Sequence, residues 1–475
     1  MHRSRADAME FYERISVQDR SFLHFEDATT HMHLGGLLVF EAGPLTTPEG
    51  GIDIARIRSH IAGRLHLVPR YRQRLGWIPV FNQAVWVDDD HFHLGYHVRH
   101  AALPRPGDDA QLKALTARIM SQQLDRGKPL WELWVIEGLA QGRFALLMKT
   151  HHAIADGISA FDLFQALVSP TPDEAIAEPE PWTPRLAPSG VRLLVDGLAH
   201  QAATPITMAK RLFAIASDPA GVGASTRAGM RALLDLAGAV SPLPSTPLNR
   251  PISAHRRFDW LTLDLDAVKA VKTKLGGTIN DVALASVSGG LHHFLKGRGT
   301  DVRTLVMRIV VPVSVRTEDE RGQASNRASG WLIDLPIHET DPRRRLAHVS
   351  AETRKRKEAR QELGPEVLGR AAEYAIPGIV GLGVRLLSRL HPYNLIVTNV
   401  PGPQFPLYLL GARLLTGFPQ VPLFENQGLG IALFSYCGSL GFGFNADRDV
   451  VPDIDDFAAA VARSFAELAR AARAR

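Results

Sequence analysis

The chain has 475 residues and a mass of 52.0 kDa, and its 45% hydrophobic and 22% charged content excludes a wholly disordered protein. Its one cysteine, Cys437, excludes an intrachain disulfide and a cysteine-built zinc site. The net charge of +5 is mildly basic and by itself names no partner.

Residues 1–25 are rich in Arg, Asp and Glu and hold no apolar run, so no secretory signal is expected. No stretch of about 18 apolar residues occurs, so no transmembrane helix is expected either. The compartment this implies is the cytoplasm, with peripheral membrane contact left open. Leu34–Phe40 is a short apolar run with two glycines. Ile54, Ile57, Ile61, Leu65 and Val68 recur at helical spacing, and so do Leu112, Leu115, Ile119 and Leu124. Ala84–Val87 is a strand candidate. Leu133–Leu139 and Phe144–Lys149 flank Ala140-Gln141-Gly142-Arg143 and predict an antiparallel hairpin. Ile158, Phe161, Phe164 and Val168 predict a following helix.

Six prolines between Ser169 and Gly190 mark a linker, and a second cluster spans Pro242–Pro251. The Ala-rich stretch Gly190–Val240 between them predicts helix. Strand and helix alternation then resumes. Arg303–Val315 contains a buried-type strand, Gly428–Tyr436 and Leu440–Phe444 predict a hairpin, and Phe457–Arg473 a final helix. The fold class is α/β (α+β), in three parts: residues 1–185, a helical connector 186–250, and 251–475.

The sharpest local feature is KTHHAIADGIS, Lys149–Ser159, where two histidines end a strand ahead of a turn and a helix. Successive strand residues point to opposite faces, so His151 and His152 cannot both face one cavity while the strand persists. A histidine suits general-base work, its ordinary pKa lying near 6.5. The same residues also permit a bland reading: satisfied polar histidines, Asp156 as a helix cap and Gly157 as a turn residue. A metal site would need a third ligand from elsewhere, and none is expected. Cys437 has no local histidine and no pKa-lowering setting, so an acyl-cysteine is not expected.

HHAIADG fits the HHxxxDG signature of coenzyme-A-dependent acyltransferases related to chloramphenicol acetyltransferase. Asp19–Leu23 (DRSFL), Met32–Glu41 (MHLGGLLVFE), Val68–Leu75 (VPRYRQRL) and Pro129–Glu132 (PLWE) extend the match. Asn280–Ala285 (NDVALA), Val311–Arg316 (VPVSVR) and Asn399–Pro403 (NVPGP) carry it beyond residue 400. In this order the motifs resemble the bacterial wax ester synthase/diacylglycerol acyltransferase family.

That resemblance implies two chloramphenicol acetyltransferase-like domains with the site between them, and His152 as the base. It makes His151 a support and Asp156 a structural aspartate. Gly157, Asn280, Asp281 and Ser314 become candidates for site architecture or oxyanion contacts, although Asn280-Asp281 also reads as a helix cap and Asp281 could pair with Arg316. Pro129, Leu130, Trp131, Asn399, Pro401 and Gly402 become candidates for shaping the pocket. Pro129–Trp131 also reads as a core anchor, and NVPGP as a rigid turn. Acyl-CoA is expected as a substrate, with diacylglycerol or a long-chain alcohol as acceptor and no cofactor. A different hydroxyl acceptor, or a non-catalytic lipid-binding protein, are the alternatives. An ordinary histidine base would make activity rise with pH between about 5 and 8. The eight basic residues within Arg343–Arg360 read as a solvated helix face, an anionic-lipid patch or a coenzyme A phosphate site. Nucleic acid is not expected.

Overall fold

The structure is a computed structural model that describes residues 11–155, 160–173, 175–199, 244, 246–314, 328–362 and 393–474. The N-terminal half runs β1 (Glu13–Arg14), α1 (Val17–Phe25), β2 (His33–Glu41), α2 (Ile54–Arg64), β3 (Gln73–Ile78), β4 (Gln83–Asp88) and α3 (Leu94–His97). It continues with β5 (Val98–Ala102), α4 (Asp109–Met120), β6 (Trp131–Leu139), β7 (Arg143–His151) and α5 (Ala160–Leu167). The C-terminal half runs β8 (Arg256–Asp264), α6 (Leu265–Leu275), α7 (Ile279–Gly297), β9 (Val306–Ser314), β10 (Ala328–Pro336) and α8 (Pro342–Glu362). Then come β11 (Leu395–Pro401), β12 (Tyr408–Leu409), β13 (Ala412–Gln420), β14 (Leu429–Tyr436), β15 (Ser439–Asp447) and α9 (Ile454–Arg473).

Turn and cap chemistry explains the local elements. Gln141 and Gly142 both take φ 63°, and Cys437 and Gly438 take 42° and 80°. Those left-handed residues close the β6–β7 and β14–β15 hairpins that the alternating patterns predict. Asp108 and Gln111 form a capping box at α4, and Thr278 and Asp281 form one at α7.

The strands form two six-stranded sheets. One has the order β12-β13-β2-β7-β6-β5, and the other β10-β9-β11-β14-β15-β8. A small sheet β1-β4-β3 stands apart. β12 and β13 come from the C-terminal half, yet they complete the N-terminal sheet, with Phe418 opposite Leu37 and Gln420 opposite Gly35. The two halves are therefore interlocked at the strand level, which no local pattern announces.

β7 is buried along almost its whole length because both of its faces are covered. On one face Ala145 and Leu147 join Leu112, Leu115 and Ile119 of α4; on the other Phe144 and Leu146 join Phe40 and Trp131. Lys149 is buried too, its ammonium donating to the carbonyls of Ile119 and Gln122 at the end of α4. A helix C-terminus is where a cation is favoured, although burial still lowers this lysine to about 8.

Three expectations change on contact with the structure. Arg345, inside the basic run, is only 1% exposed and donates to Ser464 Oγ at 3.1 Å, so α8 is not wholly a solvated face. Asn399–Pro401 is strand, paired in parallel with β14, rather than turn. Gly402 takes no positive φ; a Cβ there would meet Phe434 and the Ser435 carbonyl at 2.4 Å each, so close approach explains it. The connector is helical over 190–199, and its remainder up to 243 lies outside the described residues.

Candidate active site

β7 ends at His151, and a single 3₁₀ turn begins at His152. The change of backbone lets adjacent histidines do different things. The segments singled out in the sequence hold this corner through backbone hydrogen bonds. His151 N–H donates to the Leu130 carbonyl at 2.9 Å, and His152 N–H donates to the Met32 carbonyl at 2.8 Å.

His151 is fully buried. Its Nδ1 accepts the Ala153 N–H at 3.0 Å, which leaves Nε2 to carry the proton, 3.5 Å from Glu26 Oε2. Glu26 caps the C-terminal end of α1, and its side chain is 3% exposed. Arg126 grips the same carboxylate through Nε and Nη2 at 2.9 and 2.7 Å. His33 Nε2 lies 3.4 Å from its other oxygen, with the Leu124 N–H competing for that nitrogen at 3.4 Å. Burial pushes the Glu26 carboxyl up, but hydrogen bonds from His151, His33 and Arg126 outweigh it and hold the group well below the usual carboxylate range. Burial lowers His33 to about 3.

His152 lines a cavity of about 510 Å³. Phe22 of α1 stacks on its ring, with centroids 3.8 Å apart and planes 20° off parallel. Its Nδ1 is buried with no hydrogen-bond partner among the described residues. Burial lowers His152 to about 4. The ring is therefore neutral at physiological pH, and the activity rise expected for an ordinary histidine moves to lower pH.

The cavity lies between the two sheets. Leu34, Gly36 and Leu38 of β2, Met148 and Thr150 of β7, and Pro419 of β13 form one wall. Val310 and Pro312 of β9, Thr398 and Val400 of β11, and Ala432 and Phe434 of β14 form the other. Few lining groups are polar, and the volume falls within the range of sites that enclose a small molecule.

Residues 15–283 match the wax ester synthase/diacylglycerol acyltransferase catalytic domain, and residues 324–469 match the C-terminal domain of the same family. This chain belongs to the wax ester synthase/diacylglycerol acyltransferase family. It is 35% identical over 460 residues to a probable diacylglycerol O-acyltransferase, tgs1, of Mycobacterium tuberculosis, covering 96% of this chain and 95% of that one. The wax ester synthase/diacylglycerol acyltransferase of Marinobacter aquaeolei VT8 has a similar structure, with a TM-score of 0.71 at 25% identity over 97% of this chain and all of that one. The first condensation domain of the calcium-dependent antibiotic synthetase shares the fold, with a TM-score of 0.56 at 14% identity over 98% of this chain and 97% of that one. The chain is thus an α/β O-acyltransferase with the two-domain architecture of this family.

The other candidate residues of this acyltransferase fall in several places. Asn280 Oδ1 accepts from Asn399 Nδ2 at 3.2 Å, so the ND and NVPGP segments meet. Neither residue lines the cavity, whereas Thr398 and Val400, on the opposite face of β11, do. Asp281 is buried and closes the α7 capping box; its carboxylate also accepts from Ser350 Oγ at 3.1 Å and Thr353 Oγ1 at 2.8 Å. Arg316, named as its possible partner, lies outside the described residues. Ser314 ends β9 opposite Ala328.

Pro129, Leu130 and Trp131 are buried but absent from the cavity wall. Trp131 stacks on His97 at 4.6 Å, and its Nε1 donates to the Tyr71 carbonyl at 2.8 Å, a core anchor beside the histidine corner. Pro401 ends β11 and Gly402 follows it, and neither lines the cavity. Asp156 and Gly157 lie outside the described residues. Phe22 and Glu26 were not candidates from sequence. Phe22 sits within DRSFL, so the motif marked its neighbourhood, but nothing local pairs Glu26 with a histidine 125 positions away.

Proposed function

We propose that this enzyme transfers a long-chain acyl group from acyl-CoA to diacylglycerol, giving triacylglycerol, or to a fatty alcohol, giving a wax ester, with His152 as general base. The observation that carries the reading is a neutral, ring-stacked histidine on the wall of an apolar cavity between the two sheets. A hydroxyl is a poor nucleophile until a base takes its proton. In the proposed reaction His152 accepts that proton as the oxygen attacks the thioester carbonyl. The tetrahedral intermediate collapses, the C–S bond breaks, and the imidazolium returns the proton to the coenzyme A thiolate. An apolar cavity keeps water from competing with the alcohol. His151, anchored on Glu26, holds the strand end that presents His152.

In this reading residues 1–185 and 251–475 form the two lobes, bridged by 186–250, with β12 and β13 lent to the first lobe. The acceptors partition into lipid, and no described helix is long and apolar enough to cross a membrane. Peripheral contact with a membrane or lipid-inclusion surface is therefore part of the proposal. The test is a radiolabelled palmitoyl-CoA assay against diacylglycerol and a panel of alcohols. Label appearing in triacylglycerol or wax ester supports it, and label in no ester overturns it.

A further inference from the structure

Two adjacent glycines of β2 have different physical reasons to be glycine. A Cβ on Gly35 would sit 2.8 Å from Met120 Cε and 3.2 Å from Gln420 Cβ, so packing excludes a side chain there. A Cβ on Gly36 would meet nothing within 4 Å. Gly36 also has no positive φ that would demand glycine. A glycine inside a strand is destabilising by about 0.5–1 kcal/mol relative to alanine. Neither backbone nor packing offsets that cost at Gly36, so what the position supplies is open volume.

That volume belongs to the cavity. Gly36 lies opposite Met148 of β7 and Pro419 of β13, and all three line it. His152 follows Met148 by four residues, roughly 13 Å of chain at about 3.3 Å per residue. An extended hydrocarbon advances about 1.25 Å per C–C bond of ~1.5 Å. The gap at Gly36 therefore lies about ten carbons from a centre reacting at His152.

We propose that Gly36 is the chain-length determinant of this enzyme, the place where a long alkyl chain crosses β2 because no side chain blocks it. The inference rests on the long-chain acyl transfer proposed above. The alkyl chain could belong to the thioester or to the alcohol, and two substrate series separate them.

Initial rates of wild type, Gly36→Ala, Gly36→Val and Gly36→Leu are measured with acyl-CoAs of 8 to 18 carbons at fixed alcohol, then with alcohols of 8 to 18 carbons at fixed short acyl-CoA. Gly36→Leu is expected to lower the ratio of 16- to 8-carbon rates by about tenfold or more in one series, within the range that pocket volume sets. The series that shifts identifies the chain. An unmoved ratio of 16- to 8-carbon rates in both series overturns the inference. If Gly36→Leu does not fold, the same ratio is read from Gly36→Val, whose smaller side chain enters the same open space. A wild type that forms no ester sinks the acyl-transfer proposal instead. Equilibrium binding of 8- and 16-carbon alcohols and acyl-CoAs then decides the role of Gly36: selective loss of the longer chain in the variant supports it, and equal binding overturns it.

Discussion

Replacing Glu26 tests whether α1 anchors the histidine corner. Glu26→Ala removes a buried carboxylate that three groups share. Arg126 is 38% exposed and can turn to water, so its loss amounts to about 1 kcal/mol or less. His151 is fully buried and cannot, so its Nε2–H loses the carboxylate 3.5 Å away, a buried polar contact whose loss costs about 1–3 kcal/mol. His33 keeps the Leu124 N–H as an alternative neighbour and adds little. The sum is about 3 kcal/mol, in line with breaking other buried charged contacts. Glu26→Gln keeps the shape and one acceptor oxygen, and should cost roughly half as much.

The assay is urea unfolding followed by far-UV circular dichroism, with turnover measured on the same preparations. Both variants should lose kcat well before they lose the fold, because the strand end carrying His152 is released. The carboxyl is held below its ordinary range, so the stability it contributes is present above the unfolded carboxyl value and is lost as pH falls through the folded one. The stability difference between wild type and Glu26→Ala should therefore shrink in acid. A Glu26→Ala protein within about 0.5 kcal/mol of wild type at neutral pH, with kcat intact, would refute the anchoring role.

Further outcomes follow from the same geometry. His152→Ala should abolish ester formation while leaving the circular dichroism spectrum and melting temperature near wild type; turnover above a few per cent would remove His152 as the base. Because burial lowers His152 to about 4, kcat/KM should stay level from pH 8 to about 5 and fall as pH drops through about 4. A midpoint near 6.5 would show that the ring is hydrated. The neutral ring also makes stability decline as pH falls from about 6.5 towards 4, since the unfolded histidine takes its proton first. Gly402→Ala should destabilise by about 1–3 kcal/mol or more, because its Cβ would overlap Phe434 and the Ser435 carbonyl; a neutral thermal melt would contradict the close packing there.

Much of the fold was legible because its signals are local. Alternation and turn residues marked β6–β7 and β14–β15, and the cap read at Asn280-Asp281 marked the start of α7 to within a turn, the structure placing the cap at Thr278. The histidine corner was legible for the same reason, since a strand pattern running into HHAIADG ends at the two histidines ahead of a turn; the structure places the change of backbone between them. NVPGP misled because proline and glycine usually signal turns. Here Pro401 closes a strand, and Gly402 is set by Phe434, which lies 32 residues further on.

The sequence by itself determined most of the elements, the family and the candidate for the base, because hydrophobic period, capping and motif order are written in neighbouring residues. Only the tertiary structure decided that β13 joins the N-terminal sheet, that Glu26 meets His151, and that of two cavity-lining glycines Gly36 has room for a side chain while Gly35 has none. It also decided that His152 is neutral well below its ordinary range. Each of these depends on which distant segment covers a group and removes its water, and that is a property of the packed chain rather than of any stretch of it.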